Sequence, residues 1–187
     1  MRIFCLGDSN TYGYDPRSYL GGRYTAQDRW VDILAERTGW EVFNGGENGR
    51  EIPRGYDRVW LDRTLERHRP LDLLVVMLGF NDLLQGADRR QITGRMEALL
   101  TSLPLDRRSI LLIAPPPMEY GDWVTEEGLL RASAELAGDS QALARRLGVR
   151  FADAGEWKIG LTFDGVHFSQ GGHRTFADRL YQTITKE

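Results

Sequence analysis

Four short stretches of this 187-residue chain carry side chains that could do chemistry together. Ser9 stands in "GDSN" (7–10), directly behind the apolar run "RIFC". Asp164 and His167 stand three residues apart in "FDGVHFS" (163–169). Two further turns, "NGGENGRE" (44–51) and "GFND" (79–82), are rich in Gly and Asn. A carboxylate beside an imidazole fixes the tautomer of the ring and stabilises its protonated form, as a general base requires. A spacing of three lets Asp164 and His167 face one another on a short turn. A serine hydroxyl is a poor nucleophile until such a base takes its proton, and the tetrahedral oxyanion then formed needs fixed donors. The Ser9 N–H, the Gly49 N–H and the Asn81 side-chain amide are candidates for three of them, with Gly45 and Gly46 competing for the place of Gly49. The inventory is that of acyl transfer at an ester carbonyl, and such chemistry needs neither metal nor organic cofactor.

Each stretch also has a plainer reading. Gly, Asp, Ser and Asn are the commonest turn formers, and Asp or Ser caps helices. Asp164 could cap the last turn and leave His167 to a backbone carbonyl, and Asp82 reads as the cap of the helix that follows it. Asn10 either caps a helix or touches substrate. His68 ends an amphipathic helix and His173 follows Gly-Gly on another helical face, so both read as structural. No H-x-x-x-H or paired cysteine suggests a metal site.

The elements that must position these groups alternate. Apolar, β-branched runs occur at 2–6, 40–44, 71–78, 109–114 and 149–153, and "LDLLVVML" (71–78) is apolar on both faces like a central parallel strand. Between them, helical periodicity places Trp30, Ile33, Leu34 and Arg37 on a helix ending at Gly39, and Val59, Trp60, Leu65 and His68 on one ending before Pro70. Further helices run from Arg89 to Pro104, over 124–147 with a break at Gly138, and from 170 to 184. This pattern predicts an α/β fold, a three-layer α/β/α sandwich with a five-stranded parallel, flavodoxin-like sheet, in one domain over 1–187. The Ser, Gly and Asn turns would then leave the carboxyl edge of the sheet, where open α/β sheets bind ligands. Two long loops, 11–28 and 114–123, leave the same edge. Apolar and aromatic residues on or near this edge suggest an apolar pocket wall: Tyr12, Phe80, Met118 and Trp123, with Tyr14, Tyr120 and Trp157 nearby.

Composition narrows the partners. With 27 acidic and 24 basic residues mixed along the chain and a net charge of −3, no basic block can track a phosphate backbone, so nucleic acid is disfavoured. No apolar stretch reaches transmembrane length, and strand-like sequence from residue 2 leaves no room for a signal peptide within these residues, which leaves open a leader removed before residue 1. The single cysteine, Cys5, lies in the first apolar run and suits a reducing, cytoplasmic setting.

The four ordered blocks resemble those of the SGNH hydrolases, the GDSL-type esterases and lipases, from end to end of the chain. The resemblance implies Ser9 as nucleophile, Gly7 and Asp8 as supports of its turn, and Gly49 as the glycine of the oxyanion hole. It further implies Asn81, in the Gly79–Asp82 block, as oxyanion donor, and Asp164 and His167 as the remaining catalytic pair. "GDSNTYGY", "DRWVDIL", "PLDLLVVMLGFNDL" and "APPPM" are similar to the bacterial arylesterase and acyltransferase branch, whose members act on small acyl esters and often form homo-oligomers. The α/β-hydrolase elbow is excluded, because it needs G-x-S-x-G and position 11 is Thr. The expected activity is hydrolysis of short-chain acetyl or aryl esters, with acetylated carbohydrates among the candidate small-molecule substrates. The alternatives are acyl transfer or thioester hydrolysis at the same site, or a non-catalytic phosphate- or nucleotide-binding module. That last reading leaves the Asp164–His167 pair unexplained.

Overall fold

The computed structural model describes residues 1–18 and 22–186, so positions 19–21 of the predicted long loop 11–28 lie outside the described residues. Five apolar runs pair as one parallel sheet: β1 (Arg2–Gly7), β2 (Glu41–Gly46), β3 (Leu73–Met77), β4 (Ile110–Ala114) and β5 (Arg150–Asp153), in the order β2-β1-β3-β4-β5. Successive strand residues face opposite sides, so one sequence feeds two cores. Phe4, Leu6, Leu74, Val76, Ile110 and Leu112 pack on one face; Ile3, Cys5, Leu73, Val75, Met77, Leu111 and Ile113 pack on the other.

Helices α3 (Tyr56–Arg67), α5 (Arg89–Ser102) and α6 (Glu127–Leu147) cover the first face through Leu61, Leu65, Ile92, Met96, Leu99 and Leu136. Helices α2 (Trp30–Thr38) and α7 (Gln170–Thr185) cover the second through Trp30, Leu34, Phe176 and Leu180, all essentially inaccessible to solvent. Each such buried side chain contributes roughly 1.5–3 kcal/mol relative to exposure. The result is the three-layer sandwich expected. Local signals set the ends: Asp88 and Gln91 form a capping box on α5, Ser169 Oγ accepts the Gly172 N–H at the start of α7, and α2 stops at Gly39 with φ 69°.

Three expectations need correction. On α3 the buried positions are Leu61 and Leu65, while Val59 and Trp60 are 47% and 40% exposed. A 3.6-residue period accommodates either stripe, and the Trp60 indole is covered instead by the Arg50 guanidinium, 4.2 Å from its ring centre. Helix α6 runs unbroken through Gly138, whose cost of about 1 kcal/mol relative to Ala is small beside burial of Leu136 and Leu143. Two short helices, α1 (Ser9–Tyr12) and α4 (Phe80–Leu84), occupy places read as turns, since four or five residues are too few to display a period.

The strand order places a topological switch beside β1. The chain leaves β1 for β2 on one side and then crosses to β3 on the other, so the segments after β1 and β3 diverge and open a crevice at their carboxyl ends. Those segments are α1 and α4, which carry Ser9 and Asn81.

Candidate active site

Ser9 opens α1, and Asp8 caps it: Asp8 Oδ1 accepts the Asn10 N–H at 2.9 Å. The strand can turn this tightly because position 7 is glycine. A Cβ there would lie 2.0 Å from Thr11 Oγ1. As the first helical residue, Ser9 has a backbone N–H without an acceptor inside the helix.

His167 arrives from a tight turn held together by the Asp164 carboxylate. Asp164 Oδ1 accepts from Thr162 Oγ1 at 2.8 Å and from the backbone N–H groups of Val166 and His167 at 2.9 Å each. Asp164 Oδ2 stands 2.7 Å from His167 Nδ1, and His167 Nε2 stands 2.9 Å from Ser9 Oγ. Burial pushes the Asp164 carboxyl upward, but the hydrogen bonds from the His167 ring and from the two backbone amides outweigh it and bring its pKa down to about 2. An ionised acceptor at Nδ1 assigns the ring proton to that nitrogen, so the lone pair of Nε2 faces the serine hydroxyl. The carboxylate thus caps its turn and orients the imidazole at once, which joins the two readings of Asp164.

Gly79, at φ 123°, takes a backbone conformation that disfavours other residues and swings the chain from β3 into α4. Asn81 Nδ2 donates to the Arg50 carbonyl at 3.1 Å, which orients the amide. Asp82 does not cap the helix as expected. It is fully buried, accepting the Ile52 N–H at 2.9 Å and pairing with Arg95 at 2.7 Å, and so ties the segment after Gly49 to α4. Gly45 and Gly46 lie in β2, whereas Gly49 lies beyond it.

A cavity of about 270 Å³ opens over these groups. Asp8, Ser9, Asn48, Gly49, Asn81 and His167 give its polar lining; Tyr14, Phe80, Leu84, Val166 and Trp123 give its apolar walls. The Tyr14 and Trp123 rings flank the imidazole at centroid distances of 4.8 and 5.0 Å. Trp123 is held there because its loop docks on the Asp164 turn, Glu119 and Trp123 donating to the carbonyls of Gly165 and Asp164. Burial raises the Asp8 carboxyl to about 6, against the Asn10 N–H and the nearby His167 and Arg50, which lower it.

Ser9, Asp164 and His167 therefore meet in one hydrogen-bonded row, and Asp8, Gly49, Asn81, Phe80 and Trp123 line the same cavity. Tyr12 and Met118 do not. The Tyr12 ring lies under the Arg23 guanidinium, 4.3 Å away, and Met118 is buried with its N–H on Ser133 Oγ. Trp157 packs on Phe176 in the second core. Asn48, Leu84 and Val166 escaped the sequence reading. Leu84 lies four residues after Phe80, one turn along α4, and Val166 sits inside the "DGVH" motif itself.

The other histidines are structural in their contacts. His68 packs against the rings of Phe4 and Phe43. His173 is inaccessible between the rings of Tyr24 and Phe168, with Nδ1 accepting the Trp30 N–H at 3.4 Å. Burial lowers its pKa to about 3. The unfolded chain therefore takes up this proton from about pH 6.5 downward while the folded protein refuses it until about pH 3. Stability from this group is intact above pH 6.5 and falls toward pH 3, by up to roughly 4 kcal/mol. Urea unfolding of wild type and His173→Asn from pH 7 to pH 4 should show a shallower acid slope in the variant; parallel slopes would remove His173 as the source.

Residues 5–175 match the sequence profile of the family described as GDSL-like Lipase/Acylhydrolase. A GDSL lipase of Mycobacterium tuberculosis is 30% identical over 201 residues, covering 99% of this chain and 82% of that protein. The native aryl esterase of M. smegmatis superposes with a TM-score of 0.85 at 29% identity, over 99% of this chain and 98% of that one. Est24, a carbohydrate acetylesterase from Sinorhizobium meliloti, does so with a TM-score of 0.85 at 26% identity, over 100% and 99%. Among the described residues no helix is long and apolar enough to cross a membrane.

Proposed function

Because the chain belongs to the GDSL-like lipase/acylhydrolase family and is a hydrolase of that family, we propose that it is a serine esterase hydrolysing short-chain carboxylic esters through an acyl-enzyme on Ser9. The observation that carries this reading is the row Asp164 Oδ2, His167 Nδ1, His167 Nε2, Ser9 Oγ, with links of 2.7 and 2.9 Å. His167 Nε2 takes the Ser9 proton as Oγ attacks the ester carbonyl, while Asp164 stabilises the imidazolium. The oxyanion is held by the N–H groups of Ser9 and Gly49 and by Asn81 Nδ2. His167 then returns the proton to the leaving alcohol, and water repeats the cycle on the acyl group. Family membership as a hydrolase leaves the phosphate-binding reading without support.

The cavity of about 270 Å³ and its walls of Phe80, Leu84 and Val166 support a short acyl group. The likeness to an aryl esterase and to a carbohydrate acetylesterase supports an aryl or carbohydrate alcohol on the other side of the bond. Rapid acid quenching during turnover of p-nitrophenyl acetate should place one acetyl group on the peptide containing Ser9, and acetate esters should be cleaved faster than octanoate esters. Acetyl on a different residue, or a preference for octanoate, would overturn this reading.

A further inference from the structure

Ser9 and His167 are 158 residues apart, yet their side chains must stay in register to about half an ångström for proton transfer. The turn that carries His167 is tied mainly to itself and to the loop bearing Trp123: Asp164 bonds to its own turn, the Thr162 N–H donates to the His167 carbonyl, and residues 119–123 bond to 163–165. Apart from the Ser9–His167 contact, two hydrogen bonds connect this turn to α1 among the described residues, and both end on Asn10. Asn10 Nδ2 donates to the Val166 carbonyl at 3.1 Å, and Asn10 Oδ1 accepts the Phe168 N–H at 2.8 Å. One amide therefore grips the backbone on both sides of His167.

The clamp is itself fixed. The Asn10 N–H is held by Asp8 Oδ1, and the Asn10 carbonyl accepts from Trp30 Nε1 at 3.0 Å, which anchors it to α2. Asn10, Val166 and Phe168 are all buried, so water cannot replace either bond. Only an amide supplies a donor and an acceptor side by side: a carboxylate cannot donate to Val166, and an apolar side chain leaves a carbonyl and an N–H unpaired. Asn10 neither caps α1 through its side chain nor lines the cavity, so it is free of the two roles the sequence allowed.

We propose that Asn10 is a positioning residue that sets His167 Nε2 against Ser9 Oγ through this two-sided grip on the flanking backbone. The proposal rests on Ser9 and His167 being the reacting pair. Losing the grip lets the imidazole drift, and a misplacement of about 1 Å can cost on the order of 100-fold in rate.

The test compares wild type with Asn10→Asp, which keeps the acceptor for Phe168 and loses the donor, and Asn10→Leu, which loses both. Expected are falls in kcat for p-nitrophenyl acetate of about 10-fold and about 100-fold respectively, with KM moving less than about threefold. The proton NMR signal of His167 Nδ1–H should broaden or disappear in both. A folded variant with kcat within twofold of wild type, or a loss confined to KM, overturns the proposal. If neither variant folds, amide exchange in wild type decides: slow exchange at the Phe168 N–H supports the grip, and exchange as fast as that of an exposed loop overturns it. If wild type fails to cleave esters, the esterase reading has failed, and the His167 Nδ1–H signal alone judges the grip: its persistence in Asn10→Asp overturns it.

Discussion

His167→Ala is expected to lower kcat for p-nitrophenyl acetate by roughly 10⁴- to 10⁶-fold while KM changes by no more than a few-fold, and Ser9→Ala to do the same. The size follows from the geometry. His167 Nε2 faces Ser9 Oγ at 2.9 Å, and among the described residues no other ionisable side chain is hydrogen-bonded to that hydroxyl. Without the imidazole, Oγ must shed its proton to water, and without Oγ the imidazole has nothing to activate in the first half of the cycle. The two losses are therefore one loss counted twice, and the Ser9→Ala/His167→Ala double variant should be scarcely worse than either single one. Residual rate in all three would come from ester binding and from the donors near Ser9, Gly49 and Asn81. Steady-state kinetics on the three variants, with circular dichroism to confirm folding, is the check. A His167→Ala protein keeping more than about a hundredth of wild-type kcat, or effects that multiply in the double variant, would remove the pair from the mechanism.

The positions of Ser9, Asp164 and His167 were legible because strong local rules act on each. An apolar run must end where "GDSN" begins, and a spacing of three lets Asp164 cap a tight turn and face His167 at once. The sheet order then brings the carboxyl ends together whatever the details of packing. The pocket wall was less legible, and Tyr12 and Tyr14 show why. They stand two residues apart, yet the four-residue α1 and Gly13 in the left-handed region at φ 90° turn one toward Arg23 and the other onto His167. No periodicity exists over so short a helix from which to choose between them. Met118 failed similarly: the three prolines before it stiffen the loop, but its backbone N–H is held by Ser133 Oγ of α6 and its side chain joins the first core, partners that come from elsewhere in the chain.

Polar networks were the least legible, since one residue's partner depends on the whole fold. Asp82 follows Asn81 and carries the local signature of a cap, but its carboxylate serves Ile52, 30 positions earlier, and Arg95, 13 positions later. Asn10 likewise reaches 156 and 158 residues along the chain. A buried polar side chain near a reacting group takes the partners that burial would otherwise leave unpaired, and only the three-dimensional arrangement names them.

Asp164→Asn is expected to separate the placing of the imidazole from its tautomer. Thr162 Oγ1 and the N–H groups of Val166 and His167 all donate to Asp164 Oδ1, so an asparagine must keep its oxygen there and turn its NH₂ toward His167 Nδ1. Nδ1 then becomes an acceptor, the ring proton moves to Nε2, and the imidazole presents N–H to Ser9 Oγ in place of a lone pair. The base is present, well placed and in the wrong tautomer, which should lower kcat by on the order of 10⁴-fold with the turn intact. Asp164→Ala should lose comparable activity and also stability, because three donors lose their acceptor. Acid unfolding separates orientation from simple loss of charge. The folded carboxyl titrates near 2, below its unfolded value of 3.8, so its contribution to stability is present above pH 3.8 and is lost as pH falls toward 2. Asp164→Asn should lack that step while keeping a wild-type fold at pH 7, and a variant that retains a tenth or more of wild-type kcat would show that the tautomer is held by something other than this carboxylate.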